Sequence, residues 1–302
     1  MKKIILLASL IIVSKISMGQ NDPLITNYMF TPISINPAFA GQSNAMNGTL
    51  LARQQWIGFK EAPSTQILNF DTKVDKLGGV GLSVMNDMLG FEQSIKVKAL
   101  YSRVFTIDTV STITFGGGFG LINKSIDGTK LTYENINDTK GIYNNQSVFT
   151  ADLDLGALYR WRDLRVGLSA THIFTSKQNA TFFNVPRNLY LFSDYIYPVN
   201  SRMDLIPSLL LKVSAVTMQF EAGALLMMDK KYWGGLTYRT GSTASLLLGM
   251  NFMQNYSFGY SYDMCFGPVN GYTSGTHEIF IRMNILKQEK PYQFYKSPRY
   301  FN

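Results

Sequence analysis

In the stretch 256–265 every second side chain is large and apolar. Tyr256, Phe258, Tyr260, Tyr262 and Met264 alternate with Ser257, Gly259, Ser261, Asp263 and Cys265. A period of two belongs to an extended strand with one face in an apolar medium and the other against small or polar groups; a helix would scatter the same residues around its circumference. The pattern recurs. Ile113, Phe115, Gly117, Phe119 and Leu121 oppose Thr112, Thr114, Gly116, Gly118 and Gly120. Ala151, Leu153, Leu155, Ala157 and Tyr159 oppose Asp152, Asp154, Gly156 and Arg160. Met218, Phe220, Ala222 and Ala224 oppose Gln219, Glu221 and Gly223, and Ile279, Ile281, Met283 and Ile285 oppose Glu278, Phe280, Arg282 and Asn284.

Segments of about ten residues built this way, with carboxylates and guanidiniums on the second face, suit strands whose outer face meets lipid and whose inner face lines a lumen. A membrane helix would need about 20 consecutive apolar residues. The sole apolar run near the chain start, 4–13, is too short for that. Few charges (16%) and many aromatics (17 Tyr, 20 Phe) also suit a lipid-facing surface better than a soluble exported domain. The expected fold is therefore all-β: a transmembrane outer-membrane β-barrel of about fourteen antiparallel strands. They are expected near 46–56, 64–73, 79–87, 92–105, 112–122, 149–161, 165–175, 187–197, 204–213, 216–227, 232–240, 243–252, 256–265 and 276–286. Segments 64–73 and 187–197 alternate poorly, and Pro207 cannot donate to a ladder.

Connections sort by side. Short turns at 74–78, 162–164, 229–231 and 254–255 share one end; longer stretches at 123–148, 176–186 and 266–275 share the other, together with two tight connections at 214–215 and 241–242. In bacterial barrels the short turns face the periplasm, and an even strand count then places both chain ends there.

Residues 1–19 carry Lys2 and Lys3, an apolar core and small residues before Gln20, the make-up of a cleavable signal peptide. Its removal takes three lysines and no acid, so the formal charge falls from +8 to +5. The remaining Lys and Arg are scattered singly, which sets nucleic acid aside as a partner. A single cysteine, Cys265, allows no internal disulfide. The expected organisation is signal peptide 1–19, N-terminal plug or periplasmic segment 20–45, barrel 46–286 and a basic aromatic periplasmic tail 287–302.

The N-terminal segment contains YMFTPISINPAFAG, 28–41, too apolar for a solvated loop and too rich in proline for a regular element. Its backbone must be satisfied by protein or water, so it belongs inside the barrel mouth or against a partner. Tyr28, Phe30, Ile35, Asn36, Pro37 and Phe39 are its candidate contact residues. In the tail the candidates are Tyr292, Phe294, Tyr295, Arg299, Tyr300 and Phe301.

Together these pieces resemble the PorP/SprF family of type IX secretion membrane proteins of the Bacteroidetes. The resemblance rests on Asn27-Tyr28-Met29-Phe30, INPAFAG at 35–41, RQQWIGF at 53–59, APSTQ at 62–66 and GVGLSVMNDMLG at 79–90. It continues through SLLLK at 208–212, GLTYRTG at 235–241, GYSYD at 259–263, GTHEI at 275–279 and SPRYF at 297–301. It implies an outer-membrane barrel supporting export or surface anchoring of adhesins that carry a type IX C-terminal signal, linked in some members to gliding motility. Implied partners are such an adhesin and a periplasmic peptidoglycan-binding lipoprotein or other secretion subunits. The alternative is a passive porin or hydrophobic-substrate transport channel with an N-terminal plug.

No catalytic set is expected, and no cofactor or metal. His172, on one face with Val166, Leu168 and Ala170 near a strand end, suits a ring at the membrane interface, and His277 and Glu278 point to opposite faces. The glycines 116–118 lack the context of a phosphate loop; they suit strand bending or close packing against something inside the barrel. The inward charges Lys96, Lys98, Asp152, Asp154, Arg160, Lys212, Glu221, Asp263 and Arg282 are expected to form a lumen network. Cross-lumen ion pairing is the favoured reading; a polar passage or the docking site of an inserted peptide is the other.

Overall fold

The computed structural model describes residues 22–43, 45–133, 141–174, 185–214, 217–253, 255–267 and 270–286. The expected signal peptide and tail lie outside the described residues. Fifteen strand segments run in chain order. They are β1 (Ala45–Gln54), β2 (Ser64–Val74), β3 (Gly78–Leu89), β4 (Glu92–Thr106), β5 (Ser111–Ile126), β6 (Gln146–Trp161), β7 (Leu164–Thr171) and β8 (Asn188–Tyr195). There follow β9 (Tyr197–Asn200), β10 (Met203–Ser214), β11 (Met218–Met228), β12 (Tyr232–Arg239), β13 (Thr243–Phe252), β14 (Tyr256–Cys265) and β15 (Thr276–Leu286). All pairings between them are antiparallel, and β1 pairs with β15 from Ala45↔Leu286 to Gln54↔His277, which closes the sheet. β8 and β9 both pair with β10 and form one interrupted stave, so the ring is a closed barrel of 14 strands.

That interruption explains the proline. β10 pairs with β8 from Ser208 onward and with β9 from Leu205 backward, so Ile206 and Pro207 face the break at Ile196. Pro207 has no N–H to contribute there. The Ile196 N–H donates to the Asp163 carbonyl at 3.1 Å instead.

Alternation along each strand sets the two faces. In β5, Phe115, Phe119 and Leu121 are exposed on the outside, while Thr114, Gly118, Gly120 and Ile122 are buried toward the lumen. β5 and β6 reach further than 112–122 and 149–161. Their ladder continues from Asn123↔Phe149 to Ile126↔Gln146, through a stretch where Asn123, Lys124, Ser125, Gln146 and Ser147 interrupt the apolar alternation. The period-two hydrophobic signal stops there; the backbone pairing does not. β7 stops short of 175, at Thr171, because His172 is left-handed with φ 58° and turns the chain out of the ladder.

At one end the connections are two to four residues long (75–77, 107–110, 162–163, 201–202, 229–231 and 253–255), with positive φ at Lys76, Arg162, Asp229, Lys230 and Met253. The other end carries 55–63, 127–145, 172–187 and 266–275. It also carries the tight connections at 215–217 and 240–242, joined by a third at Gly90-Phe91. Among the described residues no helix is long and apolar enough to cross a membrane.

A lipid-facing charge tests this arrangement. Leu155 lies halfway along β6, opposite Gly117 and Ala170, with its side chain exposed on the outer face. Leu155→Arg should lower barrel stability by about 2–4 kcal/mol in urea unfolding from lipid vesicles, whereas Leu155→Met should leave it near wild type.

Candidate functional site

The lumen is occupied by the chain's own N-terminal segment, residues 22–43. Its backbone breaks into turns and two short 3-10 stretches, Pro32–Ser34 and Pro37–Phe39, each starting on a proline whose missing N–H is no loss at a helix start. Asn36 caps the second stretch, accepting the Ala38 N–H at 2.9 Å, while its Nδ2 donates to the wall carbonyls of Ala157 and Leu168 at 3.0 and 3.3 Å. Ser169 Oγ donates to the Ile35 carbonyl at 2.6 Å, and Ser102 Oγ to the Ala40 carbonyl at 2.7 Å. An irregular chain inside a barrel thus has its polar backbone satisfied by side chains of the surrounding strands.

The wall makes room by omitting side chains. A Cβ on Gly116 would lie 2.4 Å from the Ala38 nitrogen, and one on Gly156 2.0 Å from Asn36 Oδ1. Gly116, the first of the glycine run in β5, is where that strand meets the inserted segment. Above and below it, aromatic anchors take over. Phe30 stacks on Phe280 and Trp233 at centroid distances of 4.7 and 5.0 Å. Phe39 and Tyr28 meet Phe192 edge-on at 5.4 and 6.0 Å, and the Tyr28 hydroxyl is 3.1 Å from Ser208 Oγ. Tyr28, Ile35, Asn36, Pro37 and Phe39 are buried and Phe30 is half-buried. The tail candidates Tyr292, Phe294, Tyr295, Arg299, Tyr300 and Phe301 lie outside the described residues.

Charged side chains bind the segment toward the long-loop end in two groups. In the first, Arg53 bridges Asp263 at 2.8 Å and Glu278 at 3.0 Å, and Arg239 bridges Glu221 at 2.7 Å. Glu278 accepts the backbone N–H groups of Thr26 (3.1 Å) and Asn27 (2.7 Å), and Asp263 accepts the Thr26 hydroxyl at 2.8 Å. All are buried. In the second group, Asp22 of the segment meets Lys96, His172 Nε2 at 3.0 Å and Asn188 Nδ2 at 2.7 Å, and Lys212 donates to its carbonyl at 3.0 Å. His172 Nδ1 reaches Asp152 at 2.9 Å, and Lys98 bridges Asp152 and Asp154 at 2.7 and 2.6 Å. The cavity beside this group is about 30 Å³, room for about one water.

The structure therefore divides the nine expected lumen charges. Lys96, Lys98, Asp152, Asp154 and Lys212 join the Asp22 group, and Glu221 and Asp263 the Arg53 group. Arg160 and Arg282 sit apart, lining a 220 Å³ cavity on the short-turn side of the segment. Arg53, Arg239 and Glu278 were absent from that expected set although inward parity marks them, with Arg53 two residues from Leu51 and Arg239 two from Thr237, both buried. Asp22 had no legible partner, because Lys96, His172 and Lys212 are far away in sequence. It also lies level with the long-loop ends of β7 and β8, not at the end where β1 begins.

His172 departs from the expected lipid interface. Its left-handed backbone breaks the alternation, and the ring turns inward to be 1% exposed between two carboxylates. Ligand atoms of Asp152, Asp154 and His172 lie within 4.8 Å of one another, a constellation that residue spacing could not reveal. The Lys98 ammonium already sits against both carboxylates, so the cluster carries its own cation. His277 faces outward against Tyr260, with Nδ1 2.7 Å from the hydroxyl.

Similarity to known proteins adds what geometry alone does not. The profile of the family described as Type IX secretion system membrane protein PorP/SprF matches residues 17–283. The chain belongs to this family. No curated protein sequence matches it. Among solved structures, the PorP/SprF chain is similar to the TodX deltaS2S3 mutant monoaromatic hydrocarbon channel (TM-score 0.53, 10% identity, 85% of this chain and 94% of that one). It is also similar to the toluene transporter TbuX of Ralstonia pickettii (0.51, 10%, 85% and 93%) and to the CymD monoaromatic hydrocarbon channel (0.50, 10%, 90% and 95%). At such identities the likeness is one of fold: this family member is an outer-membrane-type barrel.

Two substitutions test the seating of the segment. Gly156→Val should displace Asn36 and expose residues 22–43 to added protease while the barrel stays heat-modifiable on gels. Arg53→Gln, which leaves Glu278 without its ion-pair partner and Asp263 with only Arg239 at 3.8 Å, should cost about 3–5 kcal/mol in urea unfolding.

Proposed function

We propose that this PorP/SprF member is a non-enzymatic barrel subunit of the type IX secretion system in the outer membrane, with its short turns and C-terminal tail in the periplasm. In this reading the long loops, chiefly 127–145 and 266–275, meet an exported adhesin bearing a type IX C-terminal signal and hold it at the surface, in the service of gliding where the cell glides. The tail at 287–302 meets a periplasmic peptidoglycan-binding lipoprotein or another secretion subunit. Family membership supports the secretion role.

The observation that carries the reading against a passive channel is the occupied lumen. A porin needs a continuous water path, whereas here aromatic stacking, glycine contacts and two buried ion-pair groups hold 22–43 across the bore. Uptake of a hydrophobic substrate would require the segment to move first, against bonds that burial strengthens.

Single-channel recording of the purified barrel in planar bilayers decides between them. The expected outcome is no steady conductance from the wild type; a constant open level favours the channel. Deleting 287–302 should leave a folded barrel that no longer co-purifies with its periplasmic partner, and unchanged co-purification removes the tail's role.

A further inference from the structure

The two ends of the inserted segment differ in how their charges are met. Toward the long-loop end each carboxylate of the two ion-pair groups contacts a cation within 3.0 Å or bonds to the segment itself. Toward the short-turn end the balance is broken. A cavity of about 220 Å³ is lined by Arg160, Arg165 and Arg282 against one acid, Asp71, whose Oδ2 already accepts from the Gly41 N–H and from Asn47 Nδ2, both at 2.9 Å. Arg165 is forked onto Asp194 and so neutralised.

Arg160 has no hydrogen bond or ion pair among the described residues, and Arg282 has a single long contact, 3.5 Å to Asn47 Oδ1. Arg282 also lines a second, wider cavity of about 600 Å³ that opens at the short-turn mouth, with Lys230, Lys231, Asn251, Asn255, Ser257 and Asn284 around it and, among the described residues, no carboxylate in its lining. The two cavities meet at Arg282.

Guanidinium groups stay charged, and here Arg160, Arg165 and Arg282, with Lys230 and Lys231 at the mouth, outnumber the carboxylates Asp71 and Asp194 beside them, an excess of half-buried positive charge that a bound anion would offset. We propose that this mouth is a binding site for an acidic peptide segment, its carboxylates received by Arg160, Arg282, Lys230 and Lys231. The planar fork of Arg matches carboxylate geometry. The amide side chains can both donate to and accept from a peptide backbone, while Phe252, Met253 and, deeper, Phe30 and Ile33 offer apolar contact to aliphatic stems. A bare inorganic anion would leave those groups unused. A lipid headgroup cannot reach Arg160, because the ring of strands separates the lumen from acyl chains. The inference requires the barrel and its inserted segment, not the secretion role.

The test uses the full-length protein in detergent and a fluorescently labelled hexaglutamate, with hexalysine and inorganic phosphate as comparison probes, read by fluorescence polarisation. Hexaglutamate should bind, weaken with rising salt and lose about tenfold or more in affinity in the Arg160→Gln/Arg282→Gln double variant; hexalysine should not bind. Heat-modifiability confirms that the variant is folded. If it does not fold, Lys230→Gln/Lys231→Gln, confined to an exposed turn, must still weaken binding several-fold. Equal affinity for both peptides, hexaglutamate binding indifferent to the charge-removing variants, or complete displacement by phosphate at matched charge overturns the proposal.

Discussion

The pairing of β1 with β15 is the constraint from which the rest follows. In lipid a sheet edge has no water to satisfy its N–H and C=O groups, so a spanning sheet must close. Here it closes over ten residue pairs between the first and last strands. Closure fixes the side of every residue: apolar side chains on the outer parity meet hydrocarbon, and the other parity must fill or line what is inside. Eight strands give a bore that side chains alone can fill. Fourteen do not, so the interior of this barrel needs additional matter, and residues 22–43 supply it.

How the segment is held follows from where it lies. Many of its side chains are apolar, so much of what needs partners is its backbone, to which the wall presents Ser102, Ser169 and Glu278, while the carbonyls of Ala157 and Leu168 accept from the Asn36 side chain. Glu278 is a bridge between two tasks. One carboxylate neutralises Arg53 and accepts two backbone N–H groups of the segment, so the charge network and the seating of the segment are one structure. A Glu with no segment to bind would leave acceptor capacity empty in a buried site, which is costly.

Much of this was legible in the residues because a period of two has few causes. The alternation in 256–265 assigned both faces of β14 correctly, and the expected strand total matches the fourteen staves. The apolar yet irregular run at 28–41 could be read as needing protein around it, since nothing else satisfies such a backbone. What stayed hidden was non-local or conformational. The inward turn of His172 depends on one left-handed residue, which a histidine in a strand-like context does not announce. Asp22 finds Lys96, His172, Asn188 and Lys212 only when β4, the end of β7, β8 and β10 are brought around the N-terminal segment. The break in the stave at Ile196 was hinted at by Pro207 on its neighbour, but a proline in one strand does not say which partner gives way.

The course of the segment is tied to the closure itself. It runs from Asp22, level with the long-loop ends of β7 and β8, to Gly41 at the short-turn end, where φ 62° lets the chain reverse and enter β1. The strand it feeds is one side of the closing seam, and Glu278 on β15 is the other. Arg53 on β1 reaches Glu278 and also, at 3.2 Å, the Thr26 hydroxyl of the segment. Seam and segment therefore share their buried groups. Before β15 meets β1 the lumen is open along its length beside the segment, so placing the segment inside requires no threading through a finished pore. Once the seam is made, Arg53 and Glu278 lock strand to strand and strand to segment with the same carboxylate.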